Sequence, residues 1–490
     1  MRGGKPEMIP SAENSAPGGK AFPSYVAYSK DWKLLVGEPA RKQAAINPGG
    51  TKKKVKRDMG TGKTVRFCPD GQNETREYTP EAVSAEILRK VKEDAEAYLG
   101  DTVDKVIITV PAYFNDNQRK ATIEAGRAIG VEVLKLVNEP TAAAISYGFN
   151  EAGKSQKILV FDMGGGTLDV TIMDAFEGVF DVNSTSGNTE LGGTDMDMAI
   201  SDFLINEFRK NTGVDLSGNP KAKMRIDEAS EEAKKELSTL EEVSIEIPFI
   251  AAKGDELLHL QRTLKRSELE SIVGPKVQEC HKTIDDALSS VGLKAADIDS
   301  VLLVGGPTRM PIIKNFVKEK LGDKIAGGID PMECVCFGAA LLAAKEDGTL
   351  PSDANWKGFN DVTPLPLGVG LVGSVFSVII EKNSTVPARN KVDGYTTIRD
   401  NQTGITFPVF QGEGKLITDP GFVRLGELVI SGLAMAPEGV PQVSVQFEID
   451  SSGMIFATAT DMSNGREAHA EIKSSAWTSA EEMVMMAERK

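Results

Sequence analysis

The chain is poor in cysteine and histidine, and this scarcity excludes several kinds of site. Its 490 residues contain four cysteines and three histidines. These are too few and too widely spaced for a disulfide framework or for a zinc site with C-x-x-C ligands. Cys334 and Cys336 alternate in an apolar stretch, so we expect both to be core residues. Sparse cysteine is typical of a reducing compartment, and we therefore expect a cytoplasmic protein.

Long apolar runs and a positive net charge are missing as well. No stretch approaches the roughly 18 apolar residues of a membrane span, and the start, MRGGKPEMIP, has no apolar core of a signal peptide. We therefore expect a protein that is neither secreted nor embedded in a membrane. The net charge of −15 argues against general nucleic-acid binding, which needs a basic surface. The run KKKVKR, 52–57, is a local exception, and a solvated face is its simplest interpretation.

Length and pattern predict an α/β part followed by an all-β part. A chain of 490 residues that is 40% hydrophobic and 26% charged implies two or more folded domains. Up to about residue 350, apolar strands alternate with amphipathic helices, as in α/β folds. A polar stretch, PSDANWKGFNDVTP, is then followed by short alternating segments, which predict a β-sandwich. Near the end, Thr478 and Glu481 form a capping box that predicts a final helix.

The segment KILVFDMGGGTLDVTIMDAF, 157–176, predicts two strands joined by a glycine-rich hairpin. Glycine permits positive φ and lets a ligand approach the backbone amides. A phosphate chain could lie on these amides, with Asp162 and Asp169 holding a hydrated Mg²⁺ and Thr167 donating to a terminal phosphate. An ordinary glycine-rich hairpin is the alternative, and this segment by itself does not separate the two.

Three predicted strands end in loops of special residues. One runs into Pro111, the second into the glycine hairpin, and the third into Gly305 and Gly306. Because ligands of α/β folds gather at strand ends, these loops predict one rim of contacts.

Two other segments have a simple structural interpretation. Asn138 or Glu139 could cap the helix in which Pro140 occupies the first turn. RIDEASEEAKKELSTL has helical spacing, which predicts an exposed helix with charged faces. Its apolar positions are Ala229, Ala233, Leu237 and Leu240, and its polar ones are Glu231, Lys234, Lys235 and Ser238.

The ordered set of motifs resembles the Hsp70 (DnaK) family of molecular chaperones. The motifs are VPAYFNDNQR, NEPTAAA, FDMGGGTLD, LGG, LVGGPTRMP, DVTPLPLG, DNQTGI and FEIDSSG, and they follow the family's order over almost the whole chain. GGGT alone would also suit sugar kinases or actin-like proteins. The compact stretch between VKRDMG and PEAVSAEILRKV is similar to the shorter archaeal and Gram-positive members.

The resemblance implies an actin-like (ribonuclease-H-like) two-lobed nucleotide-binding domain at 1–352, a linker at 353–363, a β-sandwich substrate-binding domain at 364–474 and the start of a helical lid at 475–490. It implies ATP binding and slow hydrolysis, with ATP or ADP and Mg²⁺ as cofactors and K⁺ as a further candidate. The implied partners are unfolded or extended polypeptides, a J-domain co-chaperone and a nucleotide exchange factor, without nucleic acid or membrane.

Motif matches carry the family's nucleotide-site roles onto this chain. Lys56 would stabilise charge on the transferring phosphoryl group, and Glu139 would position the attacking water. Asp162, Thr167 and Asp169 would complete the catalytic and metal site. Implied nucleotide contacts are Gly164, Gly165, Gly166, Gly192, Gly193, Glu231, Lys234, Lys235, Ser238, Gly305, Gly306 and Arg309. Arg309 would stack on the base, and Pro111 resembles a proline that relays nucleotide state between lobes.

In the β-domain, the implied peptide groove consists of seven apolar positions. They are Val369, Leu371, Val372, Ile405 and Phe407, with Tyr395 and Ile398 near an arch over the peptide backbone. A hydrophobic clamp needs such residues. A plain sandwich core would show the same alternation, so the pattern alone leaves both interpretations open.

Departures from the family pattern limit what the resemblance implies. Met1 aligns after the family's first strand and phosphate loop, which argues against efficient ATP hydrolysis by this chain. Gly358, Phe359 and Asn360 replace a leucine-rich linker run and predict weaker coupling between the domains. A lid cut to its first turns predicts faster peptide dissociation. Lys135 replaces an arginine beside the J-domain groove and predicts a weaker contact there.

Two rival functions fit parts of the pattern. A nucleotide-independent peptide holdase with a defective ATP site would use only the β-sandwich, and a measurement of nucleotide binding would identify it. A small-molecule kinase would use the same cleft but would have no need of a β-domain, and peptide-stimulated ATP hydrolysis would exclude it.

Overall fold

The computed structural model describes residues 4–12, 21–150, 155–351, 356–471 and 477–486. Helices and strands alternate up to residue 346, and strands follow from 358 to 471. The α-helices are α1 (Glu38–Gln43), α2 (Pro80–Leu99), α3 (Asp116–Arg127), α4 (Glu139–Asn150), α5 (Gly193–Thr212), α6 (Pro220–Glu236), α7 (Arg266–Ser290), α8 (Pro311–Leu321) and α9 (Cys334–Glu346).

The strands of the α/β part and of the segment that follows it are β1 (Tyr25–Tyr28), β2 (Leu34–Val36), β3 (Thr51–Lys53), β4 (Val65–Phe67), β5 (Arg76–Tyr78), β6 (Lys105–Val110), β7 (Glu132–Asn138), β8 (Gln156–Met163), β9 (Leu168–Phe176), β10 (Val179–Asn188), β11 (Glu242–Lys253), β12 (Glu256–Lys265), β13 (Ser300–Val304) and β14 (Gly358–Val362). The strands of the β-domain are β15 (Leu367–Gly370), β16 (Phe376–Ile380), β17 (Thr385–Val386), β18 (Ala388–Thr396), β19 (Gly404–Gln411), β20 (Val423–Ser431), β21 (Gln442–Ile449), β22 (Ile455–Asp461) and β23 (Glu467–Glu471).

A central sheet with strand order β13-β8-β9-β10-β14-β17 carries the glycine hairpin. β8 lies parallel to β13 and antiparallel to β9. Its side chains alternate between two hydrophobic cores: Leu159 and Phe161 pack into one, and Ile158 and Val160 into the other. Because both faces of β8 are covered, its sequence is a continuous apolar run rather than an alternating one.

The amino-terminal lobe, which we define as residues 21–138, has its own core. A three-stranded sheet of order β2-β1-β3 and the hairpin β4-β5 pack near α2 and α3. Tyr28, Phe67 and Tyr78 form edge and tilted ring contacts at the centre of this core. β6 and β7 form a separate parallel pair that leads into the site described below.

The carboxyl-terminal part is a β-sandwich, as the sequence pattern predicts. Its sheets have the orders β16-β15-β19-β20 and β18-β21-β22-β23. Their inward side chains form one core, which includes Val409, Leu425, Val445 and Phe447. The α/β part followed by a sandwich confirms the predicted fold class.

The linker region enters the central sheet as a strand. β14 pairs in parallel with β10, with Phe359 opposite Phe180, and it pairs antiparallel with β17 from the β-domain. Backbone pairing therefore docks this segment although it lacks a leucine-rich run. Residues 352–355 lie outside the described part, and the predicted domain boundaries stay predictions.

Several local predictions are wrong. Cys334 is buried but Cys336 is exposed, because both lie on α9, where residues two apart point to different sides. Helix α6 ends at Glu236, so Leu240 lies beyond it and is 51% exposed.

No described helix is long and apolar enough to cross a membrane.

The final capped helix is also not formed within the described residues 477–486, where the chain makes turns instead. The amide of Ala480 donates to Oε2 of Glu124 at 2.8 Å rather than entering a helix at Thr478. Burial of Met483, Met485 and Met486 against the amino-terminal lobe competes with helix formation here. The predicted start of a helical lid extends into residues that are not described.

Helices α4 and α9 pack closely at Gly338, a position that leaves no room for a larger residue. A Cβ at Gly338 would lie 1.8 Å from the carbonyl oxygen of Ala142. We expect Gly338→Ala to destabilise the fold by about 1–3 kcal/mol, because this overlap outweighs the gain of about 1 kcal/mol in helix propensity. Urea unfolding measures the change. Gly218→Ala is the control: nothing lies within 4 Å of its Cβ position, so its midpoint should not move.

Candidate functional site

Two aspartates face each other across the β8–β9 hairpin. Asp162 and Asp169 are cross-strand partners, only 5% and 1% exposed. The Oδ2 atom of each has no hydrogen-bond partner. The other oxygen of Asp169 accepts from the backbone amide of Tyr113 at 3.1 Å, just after Pro111. Unpartnered carboxylate oxygens at this depth are costly unless something else satisfies them.

The electrostatics of this pair favour a proton or a cation. Burial, and then the charge of Glu139, raises the pKa of Asp169 to about 7. Burial and the neighbouring carboxylates of Glu139 and Asp169 likewise raise the pKa of Asp162 well above its usual range. The described residues offer no group of three or more His, Cys, Asp or Glu arranged to bind a metal directly. The two unpartnered oxygens of the pair could accept hydrogen bonds from the water ligands of a hydrated cation.

The glycine loop is held by close contacts rather than by unusual dihedral angles. None of Gly164, Gly165 and Gly166 has positive φ, so the loop does not use the freedom of glycine to adopt it. The carbonyls of Gly164 and Gly165 accept from the amides of Gly193 and Thr194 at 3.0 and 2.8 Å. A Cβ at Gly192 would lie 2.8 Å from the oxygen of Gly164, whereas no atom lies within 4 Å of a Cβ at Gly165. The exposed side of the loop at Gly165 is thus free to meet a ligand.

Lys56 and Glu139 are brought together from distant parts of the chain. Lys56 lies in a 3₁₀ turn, Val55–Asp58, and Glu139 is the first residue of α4. The Nζ of Lys56 donates to Oε1 of Glu139 at 2.6 Å. Glu139 therefore does more than begin the helix: it binds Lys56, and its negative charge raises the pKa values of Asp162 and Asp169.

Arg57 is a site residue that the sequence analysis missed. Its Nη2 and Nε donate to the carbonyl of Gly166 at 2.6 and 3.0 Å, and its guanidinium pairs with Asp195 at 2.7 Å. A Cβ at Gly166 would lie 2.8 Å from Nε. The interpretation of KKKVKR as a solvated face is wrong for this residue, whose side chain is 25% exposed. Its position next to Lys56 is the signal that could have identified it.

The residues on and after α6 divide into buried and exposed ones. Lys234 is buried, and its Nζ donates to the carbonyl of Gly193 at 2.9 Å and pairs with Asp197 at 2.6 Å. Lys235 and Glu231 form an ion pair at 2.6 Å on the more exposed side. Ser238 donates to the carbonyl of Lys234 at 3.1 Å. Lys234 therefore fixes the amino end of α5, contrary to the prediction of a free, charged face.

The turn after β13 lies against the end of β8. Gly305 has φ of 85°, and a Cβ there would lie 2.1 Å from the oxygen of Met163, so the position requires glycine. Gly306 begins a 3₁₀ turn that ends at Arg309. Arg309 donates to both carboxylate oxygens of Asp330 at 2.8 and 2.9 Å. The structure thus brings the three predicted loops to one rim.

A polar cluster links this rim to the linker strand, and sequence reasoning did not find it. Asn138 and Thr141 donate to Oδ2 of Asp361 at 2.8 and 3.1 Å. Buried Arg119 donates to Asn138 at 2.6 Å and to the carbonyls of Ala112 and Phe114. The cluster depends on contacts across more than 200 positions, for which a single sequence carries no signal.

The seven predicted groove positions divide between the core and the surface of the sandwich. Leu371, Val372 and Ile398 are 37%, 72% and 55% exposed. Ile405 is partly buried against the core, and the remaining three positions belong to it: Val369, Tyr395 and Phe407. An apolar surface therefore exists beside side chains that serve the sandwich core.

Comparisons with known proteins agree on one family. A family model described as Hsp70 protein matches residues 1–490. The chain is 51% identical to the chaperone protein DnaK of Elusimicrobium minutum, over 99% of this chain and 76% of that protein. It is 49% identical to the chaperone protein DnaK of Endomicrobium trichonymphae, over 97% and 75%. Identity to the chaperone protein DnaK of Methanothermobacter thermautotrophicus is 47%, over 95% and 76%.

The raised pKa of Asp169 predicts how stability depends on pH. Its folded pKa of about 7 lies above the ordinary 3.8, so the folded protein binds more protons than the unfolded chain between these values. Stability therefore falls as pH rises through this window. Without Mg²⁺ or nucleotide, we expect Asp169→Asn to stabilise the protein at pH 8 by up to about 4 kcal/mol and to have little effect near pH 4. Urea unfolding at both pH values measures this difference.

Asp174, on the same strand, is the matched control with the opposite sign. Partial burial acts against its charge, but hydrogen bonds from Lys157 and Asn183 lower its pKa. Asp174→Asn should therefore destabilise at pH 8 and lose its effect in acid. If Asp169→Asn had the same effect at both pH values, the assignment of a raised pKa to Asp169 would be wrong.

Proposed function

The chain belongs to the Hsp70 family, and from this premise we propose that it is a molecular chaperone that binds extended apolar segments of unfolded proteins under the control of ATP. The match over the whole chain and the DnaK names of relatives at 46–51% identity support the chaperone activity. The observation that carries control by ATP is the pair of buried carboxylates, Asp162 and Asp169, with unpartnered oxygens beside the glycine loop.

The chain's own residues would divide the work of binding MgATP. Asp162 and Asp169 would accept hydrogen bonds from the water ligands of Mg²⁺, which supplies positive charge to the phosphates when it is bound. The open side of Gly165 would lie along the phosphate chain, and Thr167 would donate to its end. Lys234 would keep the amino terminus of α5 in place beneath the loop, since it already binds the carbonyl of Gly193.

Lys56 and Glu139 would act on the transferring phosphoryl group. Their ion pair keeps the ammonium near the two aspartates, where a positive charge is favoured. Glu139 would orient the attacking water, and Lys56 would stabilise charge on the phosphoryl oxygens. Arg309 would contact the base only if its guanidinium face stays accessible while it holds Asp330. Glu231, Lys235 and Ser238 would line the nucleoside side.

Partners and location are proposed with the same function. We propose a J-domain co-chaperone, a nucleotide exchange factor, K⁺ as a further ion and a cytoplasmic location, on the family resemblance. The ammonium of Lys135 lies 5.1 Å from the ring centre of Phe359 on the linker strand. A partner that contacts Lys135 would therefore also sense whether the linker is docked.

Calorimetry with MgATP tests the nucleotide site. We expect the chain to bind MgATP and Asp162→Asn to weaken binding at least tenfold, because the water ligands of Mg²⁺ lose a charged acceptor. Lys56→Ala should leave the affinity within about threefold and reduce any single-turnover hydrolysis at least a hundredfold. Lys63→Ala is the control: its exposed ammonium pairs only locally, with Asp58 at 2.7 Å.

The rival functions give distinct results in the same assay. Apolar peptide binding without any heat from MgATP would indicate the nucleotide-independent holdase. Phosphorylation of a sugar or acid, without stimulation of ATP hydrolysis by peptide, would indicate a small-molecule kinase.

Peptide binding is tested at the exposed part of the groove. Val372→Asp should weaken binding of a fluorescent leucine-rich heptapeptide at least tenfold, because it places a charge where the side chain of the peptide would pack. Fluorescence anisotropy measures the affinity. Val429→Asp is the matched control: Val429 is 53% exposed on β20 of the same sheet and is not a groove position. Equal losses in both variants would argue against this groove.

A further inference from the structure

Three methionines near the carboxyl end of the described chain are buried in the core of the amino-terminal lobe. Met483, Met485 and Met486 are 7%, 5% and 1% exposed, while Val484 between them is 53% exposed. They belong to the same core as Tyr28 and Phe67, more than 400 positions earlier in the chain. Unbranched methionine side chains adapt well to an irregular apolar slot of this kind.

Polar contacts fix the segment at both ends. The hydroxyl of Tyr28 donates to the carbonyl of Met486 at 2.9 Å and shares a hydrogen bond with Tyr78 at 2.7 Å. The amide of Ala480 donates to Oε2 of Glu124 at 2.8 Å, while the other oxygen of Glu124 binds Arg127. The amino-terminal lobe thus binds this segment through two of its backbone groups and its three buried methionine side chains.

We propose that the amino-terminal lobe contains a binding slot for an extended, methionine-rich segment, and that residues 477–486 occupy it as a strap. Five residues separate the strap from the end of β23, the last strand of the sandwich. The β-domain is therefore held to the amino-terminal lobe by the strap, in addition to the linker strand and the contact of Gln411 with the amide of Asp116.

The strap gives the slot a role in domain movement. As long as the whole strap, 477–486, stays in place, the end of β23 cannot move far from the amino-terminal lobe, since only residues 472–476 lie between β23 and the strap. Release of the strap exposes apolar surface on both partners, so opening is unfavourable and reversible. The slot thus adds an interaction that favours the docked arrangement of the two domains.

Hydrogen–deuterium exchange on the full chain tests the strap. In Met485→Asp/Met486→Asp, amides of β1 and β4 should exchange at least tenfold faster than in the parent protein, because a charged side chain cannot enter the slot. Amides of β21 in the sandwich and of α7 should keep their rates. Val484→Asp is the matched control, since residue 484 points outward, and it should exchange like the parent. Equal protection of β1 in the double variant and the control would overturn the proposal.

Oxidation of the unaltered protein gives a second test that does not depend on folding of a variant. Hydrogen peroxide transfers one oxygen atom to an accessible methionine sulfur and leaves water, so the rate of sulfoxide formation reports exposure. Met485 and Met486 should oxidise at least tenfold more slowly than Met435, which is 76% exposed. In the presence of denaturant the rates should become equal. Similar rates in the native protein would show that the slot is empty.

Discussion

The burial of two facing carboxylates, Asp162 and Asp169, is the constraint on which the site depends. A strand pair covered on both faces gives these side chains little water, and Glu139 adds a third negative charge nearby. Burial and this repulsion raise the pKa values of Asp162 and Asp169, so that a proton can neutralise part of the negative charge. Binding a divalent cation would relieve the same repulsion and release the proton. Under the proposed function, affinity for MgATP is therefore coupled to pH, and the strength of the coupling is set by how deeply the hairpin is buried.

Close backbone contacts, together with the side chains of Arg57 and Lys234, determine where the surrounding loops lie. Gly192 and Gly305 allow two separate loops to touch the end of β8, with Cβ positions that would overlap carbonyl oxygens. The amino end of α5 then donates amides to the glycine loop from one side, and Arg57 contacts Gly166 from the other. The loop is thus held by its own carbonyls, which leaves the exposed face at Gly165 open. This arrangement explains why glycines recur in three loops that are far apart in sequence.

Local pattern was sufficient to predict much of the fold and a part of the site. Continuous apolar runs, alternating segments and glycine motifs located the central hairpin and the sandwich, because these features depend on neighbours in sequence. Arg57, buried Lys234 and Asp361 were missed or misinterpreted, because their partners lie far away along the chain and a charged residue has the same local pattern on a surface or in a site. The prediction of a helix in the final segment was wrong for the same reason. Its capping box is a local signal, and burial of Met486 against Tyr28 is a distant contact that outweighs it.

A short series of hydrogen bonds joins the linker to the aspartate pair. The series passes through the charged side chain of Arg119, so it could couple the two places electrostatically. The amide of Tyr113 binds Asp169, the carbonyls on either side of Tyr113 accept from Arg119, and Arg119 reaches Asp361 through Asn138. Burial disfavours the charge of Arg119, and the carboxylates of Asp361 and Asp169 both favour it. Undocking the linker would remove the carboxylate of Asp361. The charge of Arg119 would then be stabilised only by the remaining carboxylates. A cation bound by Asp169 would reduce the contribution of that carboxylate in the same way. Because such effects are reciprocal, a cation at the aspartate pair and docking of the linker would each alter the free energy of the other under the proposed function, even though the linker carries glycine and asparagine in place of leucines.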